Sequence, residues 1–420
     1  MDHIFNGTFG VSKKSVHWVP EAGDGVFSIQ ENGHIKLVDL KNNSTTILVD
    51  TQDVRDPSSG RKIRGWSEWK LSADMNFMLL KTDYQKQWRH SSFGNYYVYD
   101  IRAKLAHPII APTDPPSTAY ATWSPTGESI AFVTNNDLYI LPGPYEPSTH
   151  PIRVTTSGNA SLFHGVPDWV YEEEVFGSDY ALWWSPDSKK VAFLALDETL
   201  VEEYTFPIYN PTSNASTVVP YTKEVVMKYP KPGYANPTVS VRVFDLQQYQ
   251  ISGLSAAEAT FELDWPDRQL KNDSIVMEVA WVGDGTLLIQ EVNRAADDGS
   301  VVLFDIEKDG AQGRVVRKKG KNGEEGDEGW IDAVSLFCRS EKYIFNWLGV
   351  EAQSIYPLPP SISASRDFKS AYLDIIPDAS GYNHIALFPD ANSGKPYFLT
   401  SGEWEVTDGI QAVDAAKGLV

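Results

Sequence analysis

Hydrophobic positions in this chain fall in short runs bounded by Gly, Pro, Asn, Asp or Ser. Runs this short, rich in β-branched and aromatic side chains, predict buried strands, because a helix needs roughly ten or more residues. Two clear cases are Ser129-Ile130-Ala131-Phe132-Val133 and Lys190-Val191-Ala192-Phe193-Leu194. Each follows a tryptophan and a turn, Trp123-Ser124-Pro125-Thr126-Gly127 and Trp184-Ser185-Pro186-Asp187-Ser188. Similar units start at Trp18-Val19-Pro20, Trp69-Lys70-Leu71-Ser72 and Trp281-Val282-Gly283-Asp284-Gly285, so successive tryptophans stand 51, 54, 61 and 97 residues apart. A further strand, often closing on aspartate, recurs at Ile35–Asp39, Tyr97–Asp100, Asp137–Ile140, Val243–Asp245 and Leu303–Asp305. About four short strands per repeat, separated by turn residues, are what propeller blades need, since a blade buries its faces only by stacking on its neighbours. The pattern predicts an all-β fold, a β-propeller of about six blades. A pair of unrelated β-sandwiches is the competing architecture, and it leaves the recurrence of the tryptophan unit unexplained.

Two stretches depart from the rhythm. Between Trp184 and Trp281 stand Pro207, Pro211, Pro220, Pro230, Pro232 and Pro237, which exclude a long helix and predict an extended excursion from a blade. From Arg314 to Glu328, Arg317, Lys318, Lys319 and Lys321 run into Glu324, Glu325, Asp327 and Glu328, which predicts a solvated charged loop.

Composition narrows the function classes. The 420 residues are 42 % hydrophobic and 12 % aromatic, which excludes a disordered chain. With 36 Lys and Arg against 56 Asp and Glu, the formal charge of −20 repels phosphate and argues against a nucleic-acid partner. The one cysteine, Cys338, cannot form an intrachain disulfide. No apolar run is long enough to span a bilayer, and the start, MDHIFNGTFG, lacks the features of a secretory signal, so the chain as written reads as soluble and untargeted. Against that stand six N-glycosylation patterns, at Asn6, Asn42, Asn43, Asn159, Asn214 and Asn272, which hint at a lumenal ancestry or mark only hydroxyl-rich surface loops.

Catalytic constellations are sparse. No Cys and His clustering has metal spacing, no glycine-rich loop suits a phosphate, and no cofactor is called for. Gly65-Trp66-Ser67-Glu68-Trp69 imitates a nucleophile elbow but places tryptophan where the strained turn needs a small residue. The informative stretch is Pro167-Asp168-Trp169-Val170-Tyr171-Glu172-Glu173-Glu174-Val175-Phe176. Asp168 can cap a short helix whose dipole favours the acids of its first turn, or adjacent carboxylates can hold an ammonium in a cavity. In Tyr84-Gln85-Lys86-Gln87-Trp88-Arg89-His90-Ser91-Ser92, Arg89 can stack on tryptophan or bind a carbonyl or carboxylate with its planar fork.

These two stretches, followed by Ala181-Leu182-Trp183-Trp184-Ser185-Pro186, Tyr229-Pro230-Lys231-Pro232-Gly233 and Asn236-Pro237, resemble the N-terminal propeller of the dipeptidyl peptidase IV family, most of all its fungal vacuolar type B branch. The resemblance runs from near residue 5 to about 330 and again from about 372 to Glu405-Val406. It implies an eight-bladed propeller capping an α/β-hydrolase domain and the release of X-Pro or X-Ala dipeptides from free N-termini. It further implies that Glu173 and Glu174 bind the substrate ammonium, that Arg89 reaches the carbonyl region of the dipeptide, and that Tyr171 and Glu172 are structural. A vacuolar or secreted location and a dimer are also implied.

Measured against the family, residues 1–420 read as an incomplete propeller domain. The sequence stops at Val420, so the hydrolase domain and its serine, aspartate and histidine are expected to be absent and this chain alone to be inactive. It starts at the first blade, without a membrane anchor. Val334–Glu351 has no family counterpart, and its Leu336, Phe337, Tyr343, Ile344, Phe345, Trp347 and Leu348 are poor loop residues. The expectation there is a retained intron or a gene-model error. A propeller used as an interaction scaffold, or a fragment without a role of its own, is the alternative to a recognition domain.

Overall fold

The computed structural model describes residues 8, 16–57, 60, 62–143, 149–212, 214, 216–321, 331, 355–366 and 368–420. The Val334–Glu351 segment and Cys338 lie outside the described residues.

Among the described residues six antiparallel meanders follow one another as propeller blades, the second and third joined through the Gly94–Thr118 pairing. The first is Val16–Trp18, Val26–Glu31, His34–Asp39 and Ser44–Asp50. The second is Glu68–Leu71, Phe77–Lys86, Ser92–Asp100 and Leu105–Pro108, and the third is Thr118–Trp123, Ser129–Thr134, Asp137–Pro142 and Ile152–Arg153. In the fourth, an inner strand in two pieces, Leu162–His164 and Leu182–Trp184, precedes Lys190–Asp197, Thr238–Asp245 and Thr260–Glu262. Ile275–Gly283, Thr286–Val292, Asp298–Asp305 and Arg314–Gly320 make the fifth. The sixth comprises Tyr356–Pro357, Tyr372–Pro377, Asn383–Phe388 and Tyr397–Phe398.

Neighbouring blades share their cores, as stacked repeats must. Ile35 and Val49 of the first blade pack with Met78 and Leu80 of the second. Val98 meets Ile130 and Phe132, and Val133 meets Val191 and Phe193. Leu194 and Val241 pack with Ile289 and Val302, and Val301 with Tyr372 and Phe388. The recurring tryptophans all sit on the innermost strands. There the indole N–H can reach the preceding blade: Trp123 Nε1 donates to the Lys70 carbonyl and Trp281 Nε1 to the Trp183 carbonyl, each at 3.0 Å. Trp18, Trp69, Trp123, Trp184 and Trp281 also line a central cavity of about 800 Å³ that every inner strand borders.

The proline-rich gap is an excursion, as the prolines predict: a hairpin of Glu203–Ile208 paired with Lys223–Lys228 leaves the fourth blade. The charged-loop expectation for Arg314–Glu328 is overturned for its first half. Arg314–Gly320 is the outer strand of the fifth blade, with Arg317 and Lys319 buried. Arg317 Nη2 lies 2.5 Å from Asp374 Oδ2 of the sixth blade, its Nη1 donates to the Tyr372 hydroxyl, and Lys319 Nζ donates to Gln290 Oε1. Basic residues in a charge run are solvated by default, but here buried acceptors elsewhere in the fifth blade and in the sixth replace water.

Candidate functional site

The split inner strand of the fourth blade places the acidic stretch. His164 pairs with Ala195 and Leu182 with Phe193, so the two pieces flank Leu194 on the same neighbouring strand. Gly165 N–H donates to the Leu194 carbonyl, Leu194 N–H to Ala181, and Ala181 N–H to Gly165, closing the strand across the gap. Residues 166–180 are thereby extruded from the strand nearest the propeller axis. Gly165 makes the turn at φ +78°, where an added Cβ would stand 3.3 Å from Leu182 and Val133 side chains.

Within the excursion Asp168 does cap a helical turn. Its Oδ2 accepts from Val170 N–H at 3.2 Å and its Oδ1 from Tyr171 N–H at 3.3 Å. The turn Tyr171–Phe176 is of the wide π type and ends on Gly177 in the left-handed conformation. Tyr171 is buried, and its hydroxyl accepts from Val276 N–H of the fifth blade at 3.2 Å, while Phe176 packs tilted against Tyr171 and edge-on to Trp183. Anchored this way, the turn fans its acids: Glu172 is buried, Glu173 half-buried and Glu174 exposed.

Arg89 arrives from the second blade, at the tip joining Phe77–Lys86 to Ser92–Asp100. The tip is anchored by Lys81, whose side chain is fully buried and whose Nζ donates to Ser92 Oγ at 2.6 Å, the Ser92 carbonyl at 3.2 Å and Glu68 Oε1 at 3.3 Å. Gly94 leaves room for it, since a Cβ there would come within 2.6 Å of Lys81. The tip then meets the acidic turn. Arg89 Nε lies 3.1 Å from Glu173 Oε2, and Arg89 N–H donates to Glu173 Oε1 at 3.2 Å. Glu172 Oε1 accepts from His90 N–H at 2.8 Å and Ser91 N–H at 2.9 Å.

The structure thus brings all three sequence-selected residues, Arg89, Glu173 and Glu174, to one place, over more than eighty residues of chain. The helix-start alternative for the acidic stretch holds to this extent: Asp168 caps the turn, and the cap leaves Glu174 exposed. Glu174 makes no hydrogen bond or ion pair to another described residue. Ser67, by contrast, is a strand-entry residue, with both N–H and Oγ on the Lys81 carbonyl. Glu172, expected to be structural, is buried on backbone amides of another blade, and no local signal in the sequence identifies those partners. Asn42, Asn43, Asn159, Asn214 and Asn272 are exposed, and Asn6 lies outside the described residues.

With fold and site in hand, the likeness to known proteins is decisive. The sequence model of the Dipeptidyl peptidase IV (DPP IV) N-terminal region matches residues 72–420. The chain belongs to the dipeptidyl peptidase IV family. It is 31 % identical to the probable dipeptidyl-aminopeptidase B of Uncinocarpus reesii, over 100 % of this chain and 43 % of that protein. Identity to the probable dipeptidyl peptidase 4 of Aspergillus clavatus is 33 %, over 97 % and 46 %. The chain therefore spans less than half the length of these relatives. The crystal structure of Porphyromonas gingivalis dipeptidyl peptidase 4 superposes with a TM-score of 0.72 at 22 % identity, covering 100 % of this chain and 51 % of that one, which establishes the shared fold. Among the described residues of this dipeptidyl peptidase family member, no helix is long and apolar enough to cross a membrane. No group of three or more His, Cys, Asp or Glu among them is placed to hold a metal ion.

Proposed function

We propose that this chain is the substrate-recognition propeller of a serine-type dipeptidyl peptidase, taking the free N-terminus of a peptide of X-Pro or X-Ala type. The observation that carries the reading is the convergence of Arg89 and Glu173 from two blades beside the unengaged carboxylate of Glu174. Each carboxylate offers about four lone-pair sites, so Glu173 keeps acceptor capacity after meeting Arg89, and an ammonium with three donors can bridge it to Glu174. Glu172, Glu173 and Glu174 against Arg89 leave an excess of two negative charges, which an α-ammonium partly neutralises. An internal peptide bond offers no such cation, so the site selects chain ends. Exposed Tyr209, Val218 and Tyr221 beside the fourth-blade hairpin support the dimer that family membership suggests, and the exposed asparagines support glycosylation in a vacuolar or secretory lumen.

Titration calorimetry with Gly-Pro-amide and its N-acetyl derivative tests the reading. The expected result is binding of the free amine and none of the acetylated peptide. Truncating one carboxylate of a carboxylate–ammonium pair that the bound peptide covers costs about 2 to 5 kcal/mol, so Glu173→Ala or Glu174→Ala weakens binding roughly thirtyfold or more. In a complete homologue the same substitutions lower kcat/KM by the same order. Equal affinity for the acetylated peptide refutes the proposal.

A further inference from the structure

Glu172 is a buried acid, 1 % exposed, directly before the two glutamates assigned to the ammonium, yet it does not face the same space. Its Oε1 is engaged by two backbone N–H groups, of His90 and Ser91, 2.8 and 2.9 Å away. Together with Arg89 N–H on Glu173 Oε1, three successive amides of one tip point at two successive carboxylates of another blade. The tip itself is a closed turn: Gln87 N–H donates to the Ser91 carbonyl at 3.0 Å and Trp88 N–H to Ser91 Oγ at 3.3 Å. Such a row of amides is an anion-holding nest, and the anion it holds is a side chain of this chain.

We infer that Glu172 is a positioning residue, a clamp that fixes the Arg89 tip of the second blade onto the acidic turn of the fourth. Buried carboxylate and converging amides need each other. Without the tip Glu172 is an uncompensated charge, and without Glu172 the buried Ser91 amide and the part-buried His90 amide lose this acceptor. The consequence falls on Arg89. Its side chain is 75 % exposed, so little packing restrains it; what places its guanidinium on Glu173 is the fixed backbone of residues 89–91. Glu172 therefore sets the spacing between Arg89 and the ammonium ligands without touching substrate. This inference rests on the reading of Glu173 and Glu174 as ammonium ligands only for its effect on affinity; the clamp itself is independent of it.

The test uses the whole chain and two conservative variants. Glu172→Asp keeps the charge and loses the reach of one methylene, whereas Glu172→Gln keeps the reach and an acceptor oxygen. Amide hydrogen exchange is followed in residues 88–92 and, as a control for global folding, in the core strand Lys190–Asp197. Loss of charge-assisted bonds predicts exchange at His90 and Ser91 about tenfold faster or more in Glu172→Asp, a smaller change in Glu172→Gln, and an unchanged core strand. Affinity for Gly-Pro-amide falls in the same order. Tip exchange within twofold of wild type in both variants overturns the clamp, as does a general acceleration that includes the core strand in both. If the wild-type chain binds no free-amine peptide, the recognition proposal fails, while the exchange experiment still decides the clamp.

Discussion

Three consecutive glutamates of identical chemistry have three different surroundings, because a side chain's role is set by what the neighbouring blade presents to it. The same holds for acids nearby whose burial is not offset. Glu198, 6 % exposed at the end of the second strand of the fourth blade, has its pKa pushed up to about 7 by burial and then by the neighbouring Asp168. Burial likewise raises Asp168 to about 6, against the hydrogen bonds of its cap. Both folded-state values lie above the ordinary 4.5 and 3.8, so the native state holds extra protons between the two values. Stability from these groups is complete below their ordinary pKa and is lost as pH rises toward 7. His164 runs the opposite way, lowered to about 4 chiefly by burial, so its contribution is lost as pH falls below its ordinary 6.5. A single pH curve therefore mixes opposing slopes, and the difference between variants isolates one. Subtracting the curve of Glu198→Gln from wild type, by urea unfolding between pH 4.5 and 7.5, should give a wild-type disadvantage that grows with pH and levels off above 7. A difference flat in pH would mean that Glu198 ionises freely in the folded protein.

At the scale of elements, blades are joined by apolar stacking with a few buried polar staples, and the fifth and sixth share the most heavily charged one. Arg317 and Asp374 have side chains 1 % and 0 % exposed, and the guanidinium also lies 4.4 Å from the Phe388 ring centroid. Burial alone would raise the Asp374 pKa, but Arg317 and Lys319 overcome it and hold the carboxyl below its ordinary value. Removing one member leaves a buried charge, which costs about 3 to 5 kcal/mol, so Asp374→Ala should lower unfolding stability by that amount in urea titrations. Replacing both members with apolar residues of similar volume, Arg317→Met with Asp374→Leu, should recover most of the loss. A single variant as stable as wild type would show that the two blades dock without the pair. This staple was illegible in the sequence, where Arg317 stands in a basic run that reads as solvated. The strands beside it were legible, because alternation and turn residues are local, and so was the tryptophan repeat. Arg89 and the glutamates stood out as a pair of motifs, whereas their contact, and the extrusion of the acidic turn between His164 and Leu182, depend on strand pairings made by residues far along the chain.

Over the whole molecule, the successive blades hold side chains from distant parts of the chain at fixed spacing, and whether any of them does chemistry is a separate question. One described pair invites the question: Ser157 Oγ lies 2.9 Å from His164 Nε2, the spacing of a nucleophile and its base. Two features argue that the pair is inert. In a serine hydrolase a carboxylate on the far ring nitrogen orients the imidazole and stabilises its cation. Here His164 Nδ1 is buried and finds no carboxylate or other hydrogen-bond partner among the described residues. Burial and the charge of Arg242 also lower the His164 pKa to about 4, so the ring is too weak a base to draw a proton from a hydroxyl near neutral pH. Asp137, the nearest candidate orienter, is already committed to Arg153 Nη2, Thr155 Oγ1 and Gly158 N–H. The Ser157–His164 pair is therefore expected to supply no activated nucleophile. A fluorophosphonate probe applied to the purified protein should leave Ser157 unlabelled. Labelling that disappears in Ser157→Ala would show that the hydroxyl is activated despite the weak base beside it.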